Sequence, residues 1–127
     1  MNREGESSAG AEDLRSRTRK FGVRIARLCD SLPRARSANV IAYQLLRAGT
    51  SPGAQYREAI RSRSNAELIS KLESILQELD ETAYWLELLI DCGILPPRHL
   101  EGLQQETNEL IAIFVSAVKK LKSKPRR

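Results

Sequence analysis

Hydrophobic residues recur every three or four positions along most of the chain, which is the period of an amphipathic helix. The first such stretch carries one apolar stripe, formed by Leu14, Phe21, Ile25, Leu28 and Leu32. We expect this helix to begin at Glu12, whose carboxylate suits the positive end of a helix dipole. It ends at Pro33, because the residue before a proline avoids the helical region.

The second helical stretch is interrupted and then resumes with the same spacing. It begins near Ser37, which the pattern favours as an N-cap, and its spacing breaks at Thr50, Ser51, Pro52 and Gly53. A proline inside a helix costs about 3 kcal/mol or more. The break therefore predicts either a kinked helix or two short helices sharing a corner. At such a corner, residues 56–63 would diverge from the bundle and leave a surface open to another subunit.

Two further helices follow, with clearer ends. Ser64 and Glu67 have the spacing of a capping box at the start of the third helix, and Gly93 suits its left-handed end. Pro97 fits the first turn of the fourth helix. The pattern predicts an all-α fold, an antiparallel up-and-down four-helix bundle with a kinked second helix. The predicted limits are a disordered tail over 1–11, the bundle over 12–122 and a basic tail over 123–127.

Charge is segregated along this 127-residue chain, which is long enough for one domain. Residues 1–63 hold 13 Lys/Arg against 6 Asp/Glu, residues 64–118 hold 2 against 10, and residues 119–127 add 6 Lys/Arg. Such blocks are either the solvated faces of separate helices or a means of steering association between subunits or with a polyanion.

The chain has few residues suited to catalysis or to binding a metal. Its one histidine, His99, follows two prolines at a predicted helix start, and we interpret it as a surface residue. Asp80 and Glu81 are adjacent, hence about 100° apart around a helix, and do not converge. No phosphate-binding loop, dinucleotide fingerprint or Cys-x-x-Cys motif occurs. We therefore expect no enzyme activity, no cofactor and no metal site.

The cellular location follows from cysteine content and hydropathy. The two cysteines, Cys29 and Cys92, lie far apart within helical stretches and show neither a disulfide framework nor metal-ligand spacing. No apolar run approaches the roughly 20 residues of a membrane span, and the N-terminal residues are charged where a signal peptide is apolar. These features predict a cytoplasmic protein without a membrane anchor.

Four large side chains leave alternatives open. Tyr84 and Trp85 are either bundle core, or a subunit contact, or a stacking platform for nucleic-acid bases, and their apolar surroundings favour core or subunit contact. Arg47 and Arg57 flank the break in the second helix. They either pair with acidic groups of a neighbouring helix or belong to a cationic surface.

Two segments carry a resemblance to a known family. "QLLRAGTSPGAQYREA" followed by "SNAELISKLESILQELDETAYWLELLIDCGIL" resembles the four-helix bundle family of proteins encoded in intervening sequences of bacterial large-subunit (23S) ribosomal RNA genes. The resemblance covers residues 20–121. The matching positions are Gln44, Leu45, Arg47, Ala48, Ser51, Glu58, Ala59, Leu72, Glu78, Glu81, Thr82 and Leu86. The chain departs from the family at Gln55, where an asparagine is usual.

The resemblance carries expectations about assembly and partners. The family includes accessory proteins of diversity-generating retroelements, which form rings of five subunits and associate with a reverse transcriptase and with nucleic acid. It therefore implies a homo-oligomer, a pentamer, with RNA or DNA and a reverse transcriptase as candidate partners. The candidate interface lies at the kink and comprises Arg47, Ser51, Pro52, Gly53, Gln55, Tyr56 and Glu58.

The basic segments complete the sequence-based hypothesis. Candidate nucleic-acid-binding residues are the cations of the first helix and of the C-terminal end, namely Arg15, Arg17, Arg19, Lys20, Arg24, Arg27, Lys119, Lys120, Lys122 and Lys124. The leading hypothesis is a non-catalytic oligomeric scaffold that binds nucleic acid with little base specificity. The alternative is a protein-interaction adaptor for a mobile-element or reverse-transcriptase partner, without direct binding of nucleic acid.

Overall fold

Four α-helices make up most of the described chain. The computed structural model describes the backbone of residues 3–124 and the side chains of residues 14–124. The helices are α1 (Arg3–Ser31), α2 (Arg36–Ala59), α3 (Asn65–Asp91) and α4 (Glu101–Lys122), with a short 3-10 turn, Pro97–His99, before α4. Successive helices pack against each other and residues 3–124 contain no strand, which confirms the all-α four-helix bundle.

The limits of the predicted domain and tails are only partly covered by the structure. The helix α1 begins at Arg3, earlier than the predicted start at Glu12. Residues 1–2 and 125–127, including Arg126 and Arg127 of the predicted basic tail, lie outside the described residues. The separation into a disordered tail, a bundle and a basic tail stays a prediction.

The core lies between the apolar stripes of all four helices. Its largest fully buried side chains include Phe21 and Ile25 from α1, Leu45 from α2, Ile75 from α3 and Phe114 from α4. Removing apolar surface from water contributes about 25 cal/mol per Å², so these stripes hold the helices together. The first helix and the fourth contact each other only sparsely, whereas α1 packs closely on α2.

The ends of α3 follow the sequence signals closely. Ser64 caps the helix, since its hydroxyl accepts a hydrogen bond from the Glu67 amide at 3.1 Å. The Glu67 carboxylate accepts from the amide of Arg63 at 2.7 Å, one residue before the position that a standard capping box uses. At the other end, Gly93 has a φ of 69° and the Ile94 amide bonds to the Leu89 carbonyl at 3.0 Å, as in a Schellman motif.

The start of α2 differs from the prediction. Ala35, not Ser37, occupies the N-cap position, and its side chain has no group that could cap the helix. Ser37 lies one residue inside the helix and is exposed. The prediction of a serine N-cap here is therefore wrong.

The second helix runs through Pro52 without ending. It is a single helix from Arg36 to Ala59, so the alternative of two helices sharing a corner is wrong. Pro52 offers no N–H to the carbonyl four residues earlier, which is the usual cause of a kink inside a helix. Around it, the Thr50 hydroxyl donates to the Leu46 carbonyl and the Ser51 hydroxyl to the Arg47 carbonyl, both at 2.7 Å.

The half of α2 beyond Pro52 stays in the core. Tyr56 is 9% exposed and lies edge-on against Phe114, with ring centroids 5.8 Å apart. Ala59 is buried as well. The expectation that residues 56–63 diverge from the bundle is therefore wrong over these positions, because the apolar stripe of α2 continues past the proline on the same face.

Close contact between α1 and α2 depends on small residues. A Cβ placed on Gly49 would lie 2.7 Å from Cγ1 of Ile25, and one on Gly53 would lie 3.3 Å from the carbonyl oxygen of Thr18. Thr18 is itself buried, and its hydroxyl donates to the Leu14 carbonyl at 2.8 Å. The two helices therefore meet with glycine on α2 facing the backbone and the core side chains of α1.

Candidate nucleic-acid interface

An open groove runs along the outer side of the contact between α1 and α2. It has a volume of about 990 Å³. Its cationic side chains are Arg15, Arg19 and Lys20 from α1 and Arg57 from α2. Between them lie small residues that include Gly22, Ala26, Gly53 and Ala54. We call this the α1–α2 groove.

Three of the ten predicted nucleic-acid-binding residues line the groove. Arg15, Arg19 and Lys20 are exposed, and none of them forms an ion pair with the described residues. The fourth cation of the groove is Arg57 on α2. The sequence leaves open whether Arg57 pairs with an acidic group of a neighbouring helix or belongs to a cationic surface. It too is exposed and unpaired among the described residues, which favours a cationic surface over an internal ion pair.

Arg17, another arginine of α1, faces α4 instead. Arg17 holds Glu106 with two hydrogen bonds, Nε to Oε2 at 3.1 Å and Nη2 to Oε1 at 2.6 Å. Its Nη2 also lies 3.1 Å from Oε1 of Glu109. Hydrogen bonds from Gln105 and Arg17 lower the pKa of the Glu109 carboxyl. Arg17 thus joins α1 to α4.

The remaining candidates are spread over other surfaces. The Arg24 guanidinium lies over Gly102 near the start of α4, and Arg27 is exposed outside the groove lining. Lys122 pairs with Glu73 of α3 at 2.8 Å. The other cations of the C-terminal end are exposed and do not line the groove, namely Lys119, Lys120 and Lys124. The ten residues therefore do not converge on one site.

A polar cluster lies on the other side of α2, against α3. The Arg47 guanidinium reaches Glu78 at 3.4 Å and forms a second ion pair with Glu81. The Trp85 indole N–H also donates to Glu81, at 3.0 Å. These hydrogen bonds, from Trp85 first and then from Arg47, lower the pKa of the Glu81 carboxyl. The cluster brings together positions that carry the family resemblance in the sequence, including Gln44, which accepts from Arg47.

The predicted interface at the kink is divided between core and surface. Pro52 and Tyr56 are buried inside the chain, so neither is available to another subunit. Gly53 lies against the backbone of α1, and the Gln55 side-chain oxygen is buried without a hydrogen bond to the described residues.

The remaining members of the predicted interface lie at or near the surface. The Ser51 hydroxyl bonds to its own helix, and Arg47 belongs to the polar cluster. Glu58 pairs with Lys71 at 3.3 Å.

The aromatic pair on α3 is more exposed than a core assignment predicts. Tyr84 is 53% exposed and packs edge-on against the partly buried Trp85, with centroids 5.0 Å apart. The core interpretation is therefore wrong for Tyr84. On α2, Val40 and Tyr43 are exposed by 59% and 67%. These side chains are not part of the α1–α2 groove.

The described residues offer no arrangement typical of a metal site or a membrane span. They contain no group of three or more His, Cys, Asp or Glu side chains placed to hold a metal ion. In the same part of the chain, no helix combines the length and apolarity needed to cross a bilayer.

The fold and the family comparison together identify the class of protein. The architecture is that of a small four-helix bundle with polar clusters between its helices. The family model described as 23S rRNA-intervening sequence protein matches residues 13–116, and the chain belongs to that family.

A solved structure supports the same assignment. It is a crystal structure of a protein of unknown function from the S23 ribosomal protein family of Bacteroides thetaiotaomicron, with 35% sequence identity and a TM-score of 0.80. The similarity covers 86% of this chain and 97% of that one. No curated protein matches the chain.

Proposed function

We propose that this protein is a non-catalytic, oligomeric scaffold that binds nucleic acid through its basic surface. The observation that carries the proposal is the cationic side of α1 and α2, where Arg15, Arg19, Lys20 and Arg57 are exposed and unpaired among the described residues. Cations held in internal ion pairs contribute little to binding a partner, whereas unpaired ones attract phosphate groups. The family name refers to the ribosomal RNA gene that contains the intervening sequence and supplies no ligand for this chain.

Binding of this kind has a characteristic dependence on salt. Each phosphate neutralised by Lys or Arg releases counterions, and the logarithm of the binding constant then falls linearly with the logarithm of salt concentration. Contacts to phosphate carry no base information, so we expect DNA and RNA of different sequences to bind alike. A mobility-shift assay at low and moderate salt tests this, and no shifted band even at low salt would contradict it.

Self-association is the second part of the proposal. Val40, Tyr43 and Tyr84 are large apolar side chains exposed on α2 and α3, and such surface commonly marks an interaction site when it is contiguous. The basic α1–α2 side and the acidic α3 also attract one another between copies. The resemblance to ring-forming relatives favours a pentamer. Light scattering across micromolar concentrations tests this, and a monomer throughout would contradict it.

The alternative function is a protein-interaction adaptor. It is favoured by the same exposed apolar side chains, because Tyr43 and Tyr84 are large, rigid contact residues of the kind enriched in protein interfaces. A mobile-element protein such as a reverse transcriptase is the proposed partner. Absence of nucleic-acid binding at low salt, together with a stable complex with the product of an adjacent gene, would support this alternative over the scaffold.

A further inference from the structure

We propose that the α1–α2 groove is the site where the phosphate backbone of a double-stranded nucleic acid binds. The proposal rests on the proposed function and makes it specific, because it assigns binding to four cations, Arg15, Arg19, Lys20 and Arg57. It adds Arg57 to the candidates and removes the lysines of the C-terminal end.

The pairing of charges separates the groove from the basic residues that are held in ion pairs. The gathering of four cations around one groove separates it from Lys119, Lys120 and Lys124, which are exposed but do not line it. Arg17, Arg47, Lys71 and Lys122 each form ion pairs with glutamates of the same chain. The four groove cations form none with the described residues. A polyanion can therefore neutralise them without first displacing an internal carboxylate.

The geometry of the groove suits a strand of phosphates. Arg15 and Arg19 are one helical turn apart, which corresponds to a rise of about 6 Å along α1. Arg57 lies across the groove on α2. The floor contains Gly22 and Gly53, and a Cβ on Gly53 would lie only 3.3 Å from the Thr18 carbonyl oxygen. Gly53 therefore lets α2 pack closely on α1, and this close packing brings Arg57 to the same groove as the cations of α1.

The lining of the groove also indicates which form of nucleic acid binds. Among the described residues, its lining contains no aromatic side chain, whereas proteins that bind single strands use aromatic rings to stack on unpaired bases. Tyr84 and Trp85 are on α3 and do not line the groove. Affinity at the groove is therefore electrostatic, and a duplex, with its higher density of phosphate charge, binds more tightly than a single strand.

A pair of double variants tests the assignment with the same change of charge at two places. Arg19→Glu with Arg57→Glu reverses one cation on each side of the groove. Lys120→Glu with Lys124→Glu makes the matched change at two exposed lysines outside it. Fluorescence anisotropy with a labelled duplex and with one of its strands gives the affinity over a salt series. A neutral pair, Arg19→Gln with Arg57→Gln, and circular dichroism of each variant control for misfolding.

The expected results distinguish the groove from nucleic-acid binding in general. We expect the wild type to prefer the duplex, and the groove pair to weaken binding by at least about tenfold and to reduce the salt slope by about 2. The lysine pair should change both the affinity and the salt slope much less. If the wild type binds but the lysine pair weakens binding as much as the groove pair, or if the single strand binds more tightly, the groove assignment is wrong while the proposed function stands. If the wild type fails to bind either form at low salt, both are wrong.

Discussion

Tyr56 on α2 and Phe114 on α4 pack edge-on across the bundle, with their ring centroids 5.8 Å apart and their planes at 66°. Phe114 is 1% exposed. The contact lies beyond Pro52 in α2 and shows that the chain after the proline remains part of the core. Aromatic pairs in this geometry contribute about 0.5–1.5 kcal/mol beyond their buried area.

Truncation of this contact is expected to destabilise the fold strongly. Phe114→Ala should lower the free energy of unfolding by about 3–5 kcal/mol, because it removes a fully buried ring and leaves a cavity. Tyr43→Ala is the matched control at a protein concentration too low for self-association, since Tyr43 is also aromatic but 67% exposed, and its effect there should stay within about 0.5 kcal/mol. Urea unfolding followed by circular dichroism measures both. Equal losses for the two variants would contradict the assignment of the core.

The crossing of α1 and α2 predicts opposite effects for two glycines. Gly49→Ala should destabilise by about 1–3 kcal/mol, because its Cβ would lie 2.7 Å from Cγ1 of the buried Ile25. Gly22→Ala should be neutral or stabilising by up to about 1 kcal/mol, since its Cβ would have no neighbour closer than 3.7 Å and alanine favours the helix.

A double-mutant cycle tests the cause of the Gly49 effect. In an Ile25→Ala background the two closest contacts, to Cγ1 and Cγ2, are absent and only the Cβ at 3.1 Å remains, so Gly49→Ala should cost less there than in the wild-type chain. An equal cost in both backgrounds would show that contact with Ile25 is not the reason.

The polar cluster predicts a loss of stability in acid. The pKa of the Glu81 carboxyl is lowered in the folded protein by the hydrogen bonds from Trp85 and Arg47. A depressed folded pKa gives stability that is complete above the unfolded pKa of about 4.3 and is lost as pH falls through the folded value. Glu81→Gln should therefore be less stable than the wild type at neutral pH, and the difference should shrink below about pH 4. A difference independent of pH would contradict this account.

The two cysteines should react at very different rates. Burial, with a smaller effect from Asp30, raises the pKa of the Cys29 thiol to about 11, and this thiol lies 3.3 Å from the Ala42 carbonyl. Cys92 is exposed. Because the thiolate is the reactive form, a maleimide at neutral pH should label Cys92 first and Cys29 only after unfolding. Peptide mapping by mass spectrometry measures this, and equal labelling of the folded protein would refute the assignment.

The sequence predicts the helices better than it predicts the site. Local signals determine local features. Accordingly, α3 begins after Ser64, with Glu67 in its first turn, and it ends just before Gly93, as the sequence patterns predict. The prediction that the chain diverges from the bundle after Pro52 is wrong, because a buried apolar stripe on both sides of a proline can stabilise a continuous helix despite the lost hydrogen bond. The gain from packing is a tertiary effect that no local pattern shows.

The pairing of charges is also tertiary. Arg17 and Arg19 look equivalent in the sequence, yet one binds Glu106 on α4 and the other lines the groove. Arg57 is distant in the chain from both and joins the groove only because α2 packs antiparallel to α1. Which basic residues are available to a partner therefore depends on the helix packing, and composition alone cannot rank them.

Amide chemical shifts during titration with a short duplex test the central claim most directly. In a TROSY spectrum of the ¹⁵N-labelled protein at low salt, the amides of Gly22 and Gly53 in the groove should shift, whereas those of Gly93 and Gly102, which do not line it, should stay in place. Shifts confined to Gly93, Gly102 and the C-terminal lysines, or no shifts at all, would contradict binding in the groove.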